Sequence, residues 1–170
     1  HRAAMQTTTG TDNTSMGLGA LRTNTTGSYN TAYGASALFT NSTGTQNVAV
    51  GHLALNQYTG SATVCMGNQA LQDLTTGTGN TAMGHDAGRE LTTGTMNTVV
   101  GYAALDASGT GVSYNVAIGS GSIGGSATGN KNTCVGHNSG HNLTSGYENV
   151  FIGTDAGDTA TGGYQCIVVG

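Results

Sequence analysis

Glycine recurs along this chain at a period that few architectures other than a stack can accommodate. Gly17, Gly34, Gly51, Gly67, Gly84, Gly101, Gly119, Gly136, Gly153 and Gly170 follow one another at intervals of 17, 17, 16, 17, 17, 18, 17, 17 and 17 residues. Each closes a five-residue phrase, as in NVAVG (47–51), NTAMG (80–84), NTVVG (97–101), NVAIG (115–119) and NVFIG (149–153). A second series, Gly10, Gly27, Gly44, Gly60, Gly77, Gly94, Gly111, Gly129, Gly146 and Gly163, keeps step with the first, often within TTG. Self-similarity at a fixed period marks a solenoid or an array, and a unit this short holds neither a helix–turn–helix pair nor a propeller blade, which needs about 40 residues.

The phrase reads as strand, because Thr, Val, Ile and Tyr favour a pleated, half-buried surface and the flanking Gly and Asn form turns. Each repeat is expected to hold two or three short strands joined by glycine turns. The fold class that follows is all-β: a parallel β-solenoid (β-roll or β-helix) of about ten 17-residue coils, with residues 1–170 forming a single repeat array. At about 4.8 Å per coil the rod is on the order of 45 Å long. One coil buries too little to stand alone, so backbone groups must pair with the coils above and below.

Strand alternation separates the phrase into two faces. Its second and fourth positions share one, with Thr14, Thr31, Val48 and Val64 in the second column and Met16, Tyr33, Val50 and Met66 in the fourth. The third position takes the other face: Ser15, Ala32, Ala49, Cys65, Ala82, Val99, Ala117, Cys134, Phe151 and Val168. Both faces are apolar, and a strand apolar on both faces is buried on both. A thin coil has one interior, so the second face needs a partner. Small residues suit close approach of identical chains, which assigns Ala32, Ala49, Cys65, Ala82, Val99, Ala117, Cys134, Phe151 and Val168 to an inter-chain face of a homo-oligomer. The other possibility is a wide single-chain β-helix with an Ala-rich exterior.

Two further columns carry structural expectations. The phrase opens on Asn13, Asn30, Asn47, Asn80, Asn97, Asn115, Asn132 and Asn149, with Thr63 and Cys166 in the two remaining coils. Stacked Asn side chains form hydrogen-bonded ladders, and Asn tolerates left-handed corners. Beyond the phrase lies Ala-Leu, as at Ala20-Leu21 and Ala54-Leu55, read as pointing into the core. Gly88, Gly140 and Gly157 replace that Leu, and Leu91 and Leu143 refill the volume in two of these coils. The third, DAGDTATGG, offers Ala160 alone and is expected to pack more loosely.

Chemistry is sparse. Charged residues are 7% of the chain, the net charge is −4, and the four Lys and Arg form no stripe, which argues against nucleic acid and anionic membranes as partners. No apolar run reaches the roughly 18 residues of a membrane span, so membrane insertion is not expected. Cys65 and Cys134 share a column four coils apart, about 19 Å, beyond the roughly 7 Å limit for a disulfide. His52, His85 and His137 lie in different coils, and Asp86 and Asp155 are too far apart for a glycosidase-type pair. There is no G-x-S-x-G, Walker motif or C-x-x-C, so neither enzymatic activity nor a cofactor is expected. Paired hydroxyls such as Thr43/Thr45 and Thr93/Thr95 raise an ice-binding alternative, interrupted at Thr26/Ser28, at Thr59/Ser61 and in the last four coils. The first and last residues, HRAAM and CIVVG, read as cuts within a longer fibre protein.

The stretches NTAYGASAL, STGTQNVAVGHLAL and LTTGTGNTAMGHDAG resemble the repeat arrays of phage tail fibres, which often precede an endosialidase-type chaperone domain. Asn115–Gly119 is also similar to the head repeat of trimeric autotransporter adhesins, whose unit is shorter, so the period here favours the fibre family. The resemblance covers essentially the whole chain. It implies a homotrimeric rod, borne on a virion tail fibre or another extracellular surface, that spaces or presents a receptor-binding tip for host attachment, with a cell-surface glycan or another host receptor as partner. A bacterial surface adhesin head is the alternative within the same likeness.

Overall fold

The computed structural model describes residues 6–106, 110–125 and 127–170. It is a parallel β-solenoid. Ten three-residue strands, β1 (Thr14–Met16), β2 (Thr31–Tyr33), β3 (Val48–Val50), β4 (Val64–Met66), β5 (Thr81–Met83), β6 (Thr98–Val100), β7 (Val116–Ile118), β8 (Thr133–Val135), β9 (Val150–Ile152) and β10 (Ile167–Val169), form one sheet in sequence order. Every neighbouring pair is parallel and in register, so Ala32 lies beside Ala49 and Ala49 beside Cys65. These strands are the phrase of the repeat, one per coil.

The other sides of each coil are turns, not the further regular strands the composition predicts. Left-handed residues break them: in the second coil Tyr29 has φ 60°, Ser36 57° and Leu38 49°. Their backbones still pair between coils, as in Leu38 N–H to Ala54 O (3.0 Å) and Ser36 N–H to Leu18 O (2.8 Å).

The Leu corner explains the Gly substitutions in that column. Leu21, Leu38, Leu55, Leu71 and Leu105 are buried there with φ between 49° and 52°. A left-handed residue costs about 1–2 kcal/mol, whereas burying a Leu side chain contributes about 1.5–3 kcal/mol, so the apolar gain holds Leu in an unfavourable backbone well. Gly88, Gly140 and Gly157 take the same conformation without steric cost. The marker glycines answer a different demand: a Cβ on Gly51 would strike the carbonyl of Gly67 in the next coil.

Inside the rod, the eight phrase-opening Asn form a continuous hydrogen-bonded column except at Thr63. Asn30 N–H donates to Asn13 Oδ1 (3.0 Å), and Asn97 N–H to Asn80 Oδ1 (2.9 Å). Asn132 N–H donates to Asn115 Oδ1 (2.8 Å), and Asn149 N–H to Asn132 Oδ1 (3.1 Å). Each Nδ2 also donates across to a carbonyl of the inner glycine column, for example Asn47 to Gly60 O (2.9 Å). In the coil that carries Thr63, the buried Tyr58 hydroxyl reaches Thr63 Oγ1 (2.8 Å) and Ser61 O (2.9 Å), replacing the missing amide.

That column also corrects the second glycine series. Asn97 Nδ2 donates to Val112 O (2.8 Å), where its neighbours use Gly94 and Gly129, and a Cβ on Gly94 would strike the same Val112 carbonyl. Val112, buried, therefore occupies the inner position assigned to Gly111. The extra residue of this 18-residue interval falls before Val112 and displaces Gly111 outward.

Candidate functional site

The faces of the sheet are reversed from the sequence expectation. Ala32, Ala49, Cys65, Ala82, Val99, Ala117, Cys134 and Phe151 are 0–1% exposed within the single chain and form part of its own core. They are not an inter-chain face; Val168, in the tenth coil, is 40% exposed. The reason is the width of the coil. The third column points at the Leu corner, where a Cβ on Gly140 would lie 2.8 Å from Cys134 Sγ and 3.1 Å from Phe151 Cδ2. Because Leu fills the interior from the corner, only small side chains fit from the strand.

Phe151 is the exception that confirms this spacing. Its ring enters a column of small residues because both adjacent corners are Gly: a Cβ on Gly157 would lie 2.6 Å from Phe151 Cδ2. The ninth coil is thus filled by Phe151 from the strand and is not the loosely packed coil expected from Ala160 alone. Leu91 and Leu143 are buried, as the sequence predicts.

Outward stand the second and fourth columns. Met16, Tyr33, Val64, Met66, Met83, Ile118, Ile152, Ile167 and Val169 are between 37% and 76% exposed. Thr31, Val48, Thr81, Thr98, Val116, Thr133 and Val150 are half-buried between them. The face is a regular ribbon with no charged residue in either column. The fourth column supplies most of its apolar surface, and the second mixes Thr with Val and Ile.

Polar side chains elsewhere mostly serve the stack. Thr23 and Thr40 hydroxyls donate to Phe39 O (2.8 Å) and Asn56 O (2.9 Å) in the next coil, and Thr75 to Thr92 O (2.9 Å). Asn24 and Asn41, fully buried, donate to Gly27 O and Gly44 O and were missed by sequence reasoning. Their signal was present: each lies three residues before an inner Gly, as do Leu74, Leu91 and Leu143. Among the paired hydroxyls, Ser28 and Ser61 accept backbone N–H groups of Thr11 (3.0 Å) and Thr45 (2.9 Å), so they belong to the ladder and leave an irregular outer array.

The titratable groups meet in small surface pairs. Among the described residues no cluster of His, Cys, Asp and Glu is arranged to hold a metal ion. His85 pairs with Asp86 (Nδ1–Oδ2 3.0 Å) and stacks on Tyr102 at 5.5 Å, while His137 lies 3.8 Å from Asp155. Arg89 bridges Glu90 (2.9 Å) and Asp106 (3.3 Å). Burial pushes the Asp106 carboxyl up against the opposing pull of Arg89, whereas hydrogen bonds from Lys131 and Gln165 hold Glu148 below the usual carboxylate range. Cys65, Cys134 and Cys166 are free thiols, and burial pushes the first two up to about 12. Buried in their own chain, copies of Cys65 have no route to meet at a shared axis. Among the described residues no helix is long and apolar enough to cross a membrane. No protein-family model, curated protein or solved structure matches the chain.

Proposed function

We propose that this chain is a structural and adhesive segment of a trimeric, phage-type tail fibre, a rod that spaces or presents a receptor-binding tip during host attachment. The carrying observation is the outward ribbon formed by the second and fourth columns of β1 to β10, largely apolar, free of charge and exposed or half-buried in the single chain. Its best-fitting occupant is another copy of the same chain. A sister rod has the same coil spacing of about 4.8 Å, so its side chains meet this ribbon layer by layer along the full length. Chains that each carry a net charge of −4 also approach with least repulsion through a flank that holds no charge. The number three comes from the fibre resemblance.

The reading is tested by sedimentation and chemical crosslinking of the 16.8 kDa chain. A species of about 50 kDa is expected, three chains closing around one axis. Ile118→Lys, a substitution at a position 37% exposed in the single chain, should leave the circular dichroism of the solenoid intact while driving the oligomer to monomer. A wild-type chain that is folded and monomeric at micromolar concentration refutes the proposal.

A further inference from the structure

A rod assembled from identical coils faces a problem of alignment. The fourth column, from Met16 through Ile152 to Val169, is apolar in every coil but the second, where Tyr33 carries a hydroxyl at its tip, so sliding one chain past another by a whole number of coils mostly exchanges one apolar contact for another. Backbone pitch does not discriminate either. Register must come from a column whose chemistry varies along the axis.

The second column varies. Thr14, Thr31, Thr81, Thr98 and Thr133 alternate irregularly with Val48, Val64, Val116, Val150 and Ile167. Among the described residues, none of these five Thr hydroxyls makes a hydrogen bond within the chain, whereas Thr23, Thr25, Thr40 and Thr75 donate theirs to the next coil. The five project from the sheet face among apolar neighbours with their donors and acceptors unspent.

Resting on the assembly proposed above, we infer that these Thr residues set the axial register in which sister chains align. In register, each hydroxyl meets its own copies, and because a hydroxyl is both donor and acceptor, identical groups pair with one another. A slip of one coil sets Thr31 against Val48, Val64 against Thr81, Thr98 against Val116 and Thr133 against Val150, burying hydroxyls against methyl groups with no partner. Reversing one chain sets Thr14 against Ile167 and Thr31 against Val150. The device is the β-solenoid counterpart of a single polar residue that fixes alignment in a coiled-coil seam.

The test uses two reporter chains, Met83→Cys and Ile118→Cys, each also carrying Cys166→Ser to remove the exposed native thiol. The reporters sit on the same column two coils apart, about 9.6 Å along the axis, beyond the roughly 7 Å a disulfide spans. The two chains are mixed, unfolded, refolded together and oxidised, and crosslinks are identified by mass spectrometry. With the native face, crosslinks should join chains bearing the same reporter. With all five Thr changed to Val, a residue four coils already carry at this position, mixed-reporter crosslinks should rise about fivefold or more. Thr→Ser at the same five positions should keep the native pattern.

Abundant mixed crosslinks in the native face, or an all-Val face that holds its register, overturns the inference and leaves the assembly standing. A folded chain that sediments as monomer and forms no crosslinks overturns both.

Discussion

Asn97 concentrates the chemistry that holds one coil to the next. It is 1% exposed; its N–H and Nδ2 donate to Asn80 Oδ1 (2.9 and 3.0 Å), Nδ2 also donates to Val112 O (2.8 Å), and Oδ1 accepts from Asn115 N–H (3.0 Å). Asn97→Ala leaves that buried N–H and carbonyl unsatisfied, each costing about 1–3 kcal/mol. A loss of about 2–4 kcal/mol is expected in urea denaturation. Asn68→Ala, at an exposed position, should stay within about 0.5 kcal/mol of wild type. This column was legible in the sequence because an amide that must bond upward and downward recurs once per coil. Asn24 and Asn41 were less legible, since the same inner column passes to Tyr58 and then to Leu74 and Leu91. Polar and apolar side chains share one site there, and a column that changes chemistry does not announce itself by composition.

Within a coil, strand and corner share one fixed volume. Three coils in which Gly replaces Leu meet this in two ways: Leu91 and Leu143 enter from the next inner column, and Phe151 enters from the strand between Gly140 and Gly157. Gly157→Leu alone drives a side chain into the Phe151 ring and should cost about 1–3 kcal/mol by overpacking. Phe151→Ala alone should cost about 3–5 kcal/mol by leaving a cavity. Together they recreate the Ala and Leu pairing of Ala32 with Leu38, so the double variant should recover at least about 1 kcal/mol of the summed loss in a double-mutant cycle. Strict additivity would mean that corner and strand do not share space. The same volume rule explains where sequence reasoning inverted the sheet. Alternation separates the third position from the second and fourth, but the small size of the third-position residues points to an inter-chain face where the structure has a core. Apolarity alone does not reveal that a left-handed Leu corner already fills a narrow interior; the recurrence of Ala opposite Leu is the trace that does.

Over the whole molecule, each coil touches only its neighbours, and stability becomes a sum of coil terms and coil–coil interfaces. The period is then a rule about length, not about particular residues. Removing residues 31–47 joins Asn30 to Val48 and regenerates the phrase as NVAVG, with every column still aligned and no charged residue lost. The shortened chain should fold, with a rod about 4.8 Å shorter by small-angle scattering and an m-value about a tenth lower, since m follows the surface exposed on unfolding. Protomer concentration must be held fixed in that comparison, because assembly contributes to apparent stability. Removing 31–38, about half a coil, should fail. It joins Asn30 to Phe39 and omits β2 together with its marker Gly34 and corner Leu38, leaving what remains of that coil unable to stack on either neighbour. If the half-coil deletion keeps the circular dichroism and denaturation midpoint of the full-coil deletion, then the columns are not what holds the rod together, and the stacking that the outward ribbon depends on loses its foundation.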